Sequence, residues 1–171
     1  MFGFAGWSGS GKTTLIEQIV PRLAAAGQRV SLVKHAHHSF DLDQPGKDSY
    51  RHRRAGCSEV LVTSGTRWAL MHELRGDAEL TLEAALARLS PCDLALVEGF
   101  KSAPIPKLEV WRADLGKPLL HPIDPHIVGI ATDAPAALPP SAGRLPMLAL
   151  ADYDAVATFV ARNASAWRNV D

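Results

Sequence analysis

The chain has 171 residues, 47% hydrophobic and 21% charged, the proportions of a single domain over residues 1–171 that can bury a full core. Lys plus Arg (18) equals Asp plus Glu (18), so no net field gathers a nucleic-acid backbone or an anionic membrane, and no nucleic-acid partner is expected. No apolar run approaches the ~18 residues of a membrane span and no basic leader is present, so the expectation is a cytoplasmic protein without a membrane partner. Cys57 and Cys92 lack metal spacing and read as buried free thiols.

In chain order, MFGFAG reads as a first strand and residues 13–26 as a helix, with Leu15, Ile16, Ile19, Val20 and Leu23 on one side and Gly27 as its stop. Pro21 falls inside that helix and predicts a kink. RVSLVKH (29–35) is a second strand, and EVLVTSG (59–65) a third that pairs with RWALMHEL (67–74) as a hairpin across Ser64 and Gly65. Residues 80–89 have helical spacing, and DLALVEGF (93–100) is the apolar run of a strand covered on both faces. KLEVWR and HIVGIATD read as two further strands and residues 152–167 as a closing helix. Most of the 12 prolines fall between residues 103 and 146, which predicts a loop-rich region interrupted by strands. The alternation predicts a three-layer α/β domain with a mostly parallel sheet. RWALM and KLEVW either extend a sheet between subunits or form edge strands protected by neighbouring charges.

GWSGSGKTT, residues 6–14, stands between the first strand and the first helix. Gly6 allows a tight exit from the strand, and Gly9 and Gly11 let successive amides turn inward towards an anion. The helix that opens near Lys12 adds unpaired amides and the positive end of its dipole. In this pattern Lys12 reaches the β and γ phosphates of a nucleotide and the Thr13 hydroxyl ligates magnesium.

Glu98 follows four apolar residues in LALVEG and sits at the strand end where ligands gather. It acts either through magnesium-bound water or by holding the attacking water. Asp93 lies at the other end of the same strand, roughly 16 Å away, and cannot serve that site. Residues 34–56, KHAHHSFDLDQPGKDSYRHRRAG, hold more functional side chains than a connector needs. His35, His37 and His38 alternate sides of an extended chain and lack a second ligand cluster, which argues against structural zinc. Arg51, Arg53 and Arg54 solvate a helix face, and Asp48 is a second candidate carboxylate for magnesium.

GWSGSGKTT, then VKHAHHSFDLDQPGKDSYRHRRAG, then LVEGFK and PKLEV, together resemble the MobB proteins of molybdenum cofactor biosynthesis, which are small P-loop GTP-binding proteins. The likeness spans residues 1–112 by motif, with weaker support from HIVGIATD onward. It implies a three-layer P-loop NTPase fold with a β-hairpin extension. It also implies a homodimer that binds GTP and magnesium, hydrolyses GTP slowly and works beside the guanylyltransferase that attaches GMP to molybdopterin. On that resemblance Gly6, Trp7, Ser8, Gly9, Ser10, Gly11, Lys12, Thr13 and Thr14 bind the phosphates. Lys12, Asp48 and Glu98 are the candidate catalytic residues, Thr13, Asp48 and Glu98 the magnesium set, and Lys34, His35 and Lys101 lie on the nucleotide rim.

The sequence has no N-K-x-D, whose aspartate would accept hydrogen bonds from guanine. Asp133 in ATDAP is the nearest substitute, meeting a base at the rim or starting a turn. Two function classes follow. One is an adapter whose nucleotide orders a partner surface; the other is a small-molecule kinase using ATP or GTP, with Arg51, Arg53 or Arg54 as lid arginines.

Overall fold

β1 (Phe2–Ala5) and β5 (Leu94–Glu98) run side by side in a parallel sheet. In this computed structural model the described residues are 1–36 and 40–167. The chain divides into two compact units, one built from Met1–His35 and the residues from Leu82 onward, the other from Ala36–Thr81.

The first unit contains α1 (Lys12–Ala25), β2 (Val30–Lys34), α3 (Leu82–Leu86), β5, β6 (Lys107–Trp111), β7 (Ile127–Thr132), β8 (Met147–Ala149) and α4 (Tyr153–Asn163). Its six strands lie in the order β2-β5-β1-β6-β7-β8, and each neighbouring pair is parallel. Strand alternation divides the apolar side chains between two faces. Phe2, Phe4, Leu94, Leu96, Leu108 and Val110 point to one face, where Leu15, Ile16, Ile19 and Leu23 of α1 and Val156 and Val160 of α4 cover them. Ala95 and Val97 point to the other, under Leu82 and Leu86 of α3. The expected covering of DLALVEGF on both faces is therefore present, all five β5 residues being buried.

β6 corrects the edge-strand and inter-subunit readings of KLEVW: it lies between β1 and β7, and all five of its residues are buried. Its alternating polar residues face a cover that is not a helix but the β6–β7 connection. Glu109 accepts hydrogen bonds from the amides of Leu120 at 2.6 Å and His121 at 2.9 Å. Lys107 donates to Asp124 at 2.6 Å and to the Lys101 carbonyl at 2.9 Å, and the Trp111 indole donates to the Lys117 carbonyl. Burial raises the Glu109 carboxyl above the ordinary range, against the lowering effect of those two amides. β8, three residues directly after the proline-rich stretch, was not anticipated. The closing helix ends at Asn163, capped at its start by Asp152, whose carboxylate accepts from the Ala155 amide.

The second unit holds α2 (Asp48–Ala55) and the antiparallel hairpin of β3 (Glu59–Thr63) and β4 (Trp68–His72). α2 buries none of its own residues in an apolar core. Arg53 instead binds Asp41, Asp43 and Glu73, which corrects its reading as a solvated arginine, whereas Arg51 and Arg54 are exposed. The hydrogen bonds to Asp41 and Glu73 hold the guanidinium above its already high value, and the same contact lowers Asp41. Cys57 is exposed and Cys92 half-buried, which corrects their reading as buried thiols. Cys57 follows the α2 cap at Gly56, in a unit whose cohesion here is ionic.

Asp124→Ala strips Lys107 of its carboxylate while leaving the ammonium buried. The variant is expected to lose about 3 kcal/mol in urea denaturation, most of which Lys107→Met in the same chain restores.

Candidate functional site

The chain leaves β1 through Gly6, whose φ of 146° belongs to glycine, and Gly9 and Gly11 follow at 81° and 93°. A Cβ on Gly6 would lie 2.6 Å from the Val110 carbonyl and 2.7 Å from Ser10 Oγ, so the loop closes against β6 only without a side chain. Ser10 Oγ is buried there without a hydrogen-bond partner. α1 then opens at Lys12 with Gly11 as its cap, with no side-chain cap bond and no acidic residue in its first turn. Its first amides and the positive end of its dipole are thus unopposed by its own residues.

Lys12 folds over this loop, its Nζ donating to the carbonyls of Gly6 and Trp7, each at 3.0 Å. Burial pulls the ammonium below the ordinary lysine range; Glu98 opposes this, and Lys101 and Lys34 add to it. The charge pattern is thus three lysines about one carboxylate, a surplus that an arriving anion would relieve.

Glu98 is placed by strand register. Its partners across the sheet are Phe4 on β1 and Lys34 on β2, which puts its carboxylate beside the start of the loop. Thr13 Oγ1 donates to Glu98 Oε1 at 2.9 Å, and Lys34 Nζ lies 3.4 Å from Oε2. The His35 amide donates to the Glu98 carbonyl, and the His35 ring packs against Phe100 at 5.2 Å. Gly99 permits that contact: its φ is 97°, and a Cβ there would meet the His35 carbonyl at 2.5 Å.

The loop residues, Lys12, Thr13, Glu98, Lys34 and His35 therefore form one rim, with Lys101 within electrostatic reach. Ser8, Gly9, Thr13 and Thr14 are exposed on it. Asp93 lies at the other end of β5, where it accepts from the Arg29 amide at 2.7 Å. Asp48 belongs to the second unit, where it is exposed and pairs with Arg51 at 3.6 Å. His37 and His38 fall outside the described residues. Among those described, no cluster of three or more His, Cys, Asp or Glu side chains forms a metal cage.

On the β6 and β7 side of the loop, Asp133 Oδ2 accepts from Arg112 Nη1 at 2.7 Å, and Arg112 Nε donates to the Ser10 carbonyl at 3.2 Å. The Trp7 indole donates to the Pro118 carbonyl at 2.8 Å, with Lys117 Nζ 5.7 Å from its ring centre. Arg112 was not foreseen; the only signal in the sequence is a charged residue directly after the apolar run of β6. Gly6→Ala is expected to lower stability by about 2 kcal/mol in urea denaturation, through backbone strain and the contact with the Val110 carbonyl.

Residues 1–133 match the family described as molybdopterin guanine dinucleotide synthesis protein B, MobB. The molybdopterin-guanine dinucleotide biosynthesis adapter protein of Escherichia coli K12 is 42% identical over 163 residues, covering 94% of this chain and 90% of the relative. The adapter protein of Haemophilus influenzae is 44% identical over 135 residues, covering 79% and 75%. The crystal structure of Bacillus subtilis MobB superposes with a TM-score of 0.72 at 25% identity, over 97% of this chain and 98% of that one. The ordered motifs, the parallel sheet with its glycine loop, and these likenesses agree, and the chain belongs to the MobB family.

Proposed function

We propose that this chain is a GTP-binding adapter in the biosynthesis of molybdopterin guanine dinucleotide, working beside the guanylyltransferase of that step. The observation that carries the reading is the cradle in which Lys12 and the Thr13–Glu98 pair meet at the start of α1. The relatives named as biosynthesis adapters give the pathway.

The residues fit a magnesium nucleotide. Thr13 and Glu98 supply hydroxyl and carboxylate oxygens, the hard donors magnesium takes, and the phosphates and water complete its shell. Magnesium, when bound, draws charge from the β and γ phosphates. Lys12, released from the Gly6 and Trp7 carbonyls, moves to the phosphates, and the loop amides bind their oxygens. Glu98 already holds Thr13 and faces Lys34, so it orients ligands more readily than it takes a proton, which accounts for slow hydrolysis. Asp133, at the end of β7, offers an acceptor to the adjacent N–H groups of guanine, whereas adenine presents a lone pair to the same carboxylate. Arg53 has its donors engaged by three carboxylates, which weighs against a kinase lid built on it.

Lys12→Ala is expected to weaken magnesium-GTP binding at least about tenfold in calorimetric titration with an unchanged unfolding transition, since its side chain bonds only to loop carbonyls. The wild type is expected to prefer GTP over ATP and to turn over far below ~10 per second. Equal ATP binding with rapid phosphate transfer to an acceptor would favour the kinase instead.

The adapter works as a homodimer through the β3–β4 hairpin. Among the described residues this two-stranded sheet leaves both outer edges unpaired, and one face carries the opposed pair Leu61 and Leu70 beside Trp68, all exposed. Leu61→Asp is expected to convert a dimer to a monomer in sedimentation velocity; a monomeric wild type would remove the dimer from this reading.

A further inference from the structure

We propose that Arg112 is the positioning residue for base selectivity, holding the Asp133 carboxylate and the phosphate loop in one frame. The proposal rests on the nucleotide reading above and adds to it a residue that lies outside the sequence motif and outside the Thr13–Glu98 pair.

Sheet order gives the direction in which a nucleotide must lie. Thr13, Glu98 and Lys34 mark the β5 and β2 side of the loop as the metal and terminal-phosphate end. The nucleoside then extends to the other side of β1, over the ends of β6 and β7. Strand spacing puts the β7 end about 10 Å from β1 and about 14 Å from β5, the reach of a nucleoside triphosphate laid across the rim. Arg112 and Asp133 close those two strands on the same rim.

Arg112 joins the two ends of such a ligand. Its Nε donates to the Ser10 carbonyl within the loop, and its Nη1 donates to Asp133 Oδ2. Its Nε and Nη2 would also lie 3.5 Å from a Cβ on Gly11, so the guanidinium rests against the residue that caps α1. The pairing occupies only one oxygen of Asp133; Oδ1 has no side-chain partner among the described residues. Both side chains are about 40% exposed, so the pair lies at a surface that a base can reach. A planar fork makes these two bonds in different directions at once, which a lysine ammonium on a flexible stem cannot do. Without Arg112 the carboxylate keeps its charge but loses its orientation relative to the bound phosphates, and base discrimination falls while phosphate binding stays.

The test is calorimetric titration of the full chain with magnesium-GTP, magnesium-ATP and magnesium-tripolyphosphate, for the wild type, Arg112→Ala, Arg112→Lys, Asp133→Asn and the Arg112→Ala/Asp133→Asn double variant. Arg112→Ala is expected to weaken GTP about tenfold and bring the GTP-to-ATP ratio towards one, with tripolyphosphate within about twofold of wild type. Arg112→Lys restores little of the ratio, and the double variant is no less selective than Asp133→Asn alone, the coupling expected of a shared function. Equal losses for all three ligands would overturn the proposal in favour of a role in loop structure, as would an unchanged ratio in a wild type that prefers GTP. A wild type that binds tripolyphosphate but does not distinguish the bases overturns the guanine reading itself, and this inference with it. Retained tripolyphosphate binding also serves as the check that each variant has folded.

Discussion

The hydrogen bond from Thr13 to Glu98 is the interaction on which the rest of the site depends. It joins the first turn of α1 to the end of β5, two elements separated by 85 residues of chain. A buried carboxylate at a strand end is costly unless its oxygens are matched. Here one oxygen accepts from the Thr13 hydroxyl and the other faces Lys34. The register that aligns Glu98 with Phe4 and Lys34 makes this possible, so the position of the acid follows from sheet pairing and not from the conformation of a loop. Gly6 then solves a second problem, letting the loop close against β6 where a Cβ would meet the Val110 carbonyl.

The opposite side of the sheet is built differently. Where a parallel crossover commonly supplies a helix, the β6–β7 connection covers the polar face of β6 by bonding it. Glu109 takes two backbone amides, Lys107 takes Asp124, and Trp111 takes the Lys117 carbonyl. Pro118, Pro122 and Pro125 in this stretch oppose an α-helix, and the buried charges add cohesion to the packing of Ala113 and Leu119 against Trp111 and Ile130. The same connection reaches the glycine loop through the Trp7 indole and the Pro118 carbonyl, so a cover layer with no more than a short 3-10 turn at Ala113–Leu115 still has a defined place beside the site.

The parts legible from sequence are those in which chemistry fixes residue type at fixed spacing. Gly6, Gly9, Gly11, Lys12 and Thr13 announce a loop with particular backbone angles ahead of a helix, and those angles are present. Glu98 was legible because four apolar residues placed it at a strand end. The motif order was enough to identify the family. Arg112 was not legible, because its role requires β6 to lie next to β1, and strand order is a tertiary property that local pattern does not encode. KLEVW misled for a related reason: Lys and Glu alternating with apolar residues look like a solvated edge, and only the bonds to residues 117–124 make that face an interior one. Cys57 and Arg53 were misjudged because the second unit has few buried apolar residues, so average burial tendencies did not apply to it.

The sheet order also bears on how the chain acquires its structure during synthesis. β1 and β2 emerge early, but they are not neighbours; β5 fills the place between them and arrives some sixty residues after β2. Residues 36–81, by contrast, form one uninterrupted stretch whose hairpin and arginine–carboxylate contacts all close over short sequence distances. Local closure is fast, and pairing across long separations waits for the chain to be made. On the ribosome, then, residues 36–81 have all of their sequence before the six-stranded sheet can close, and the Thr13–Glu98 contact is among the later features to form.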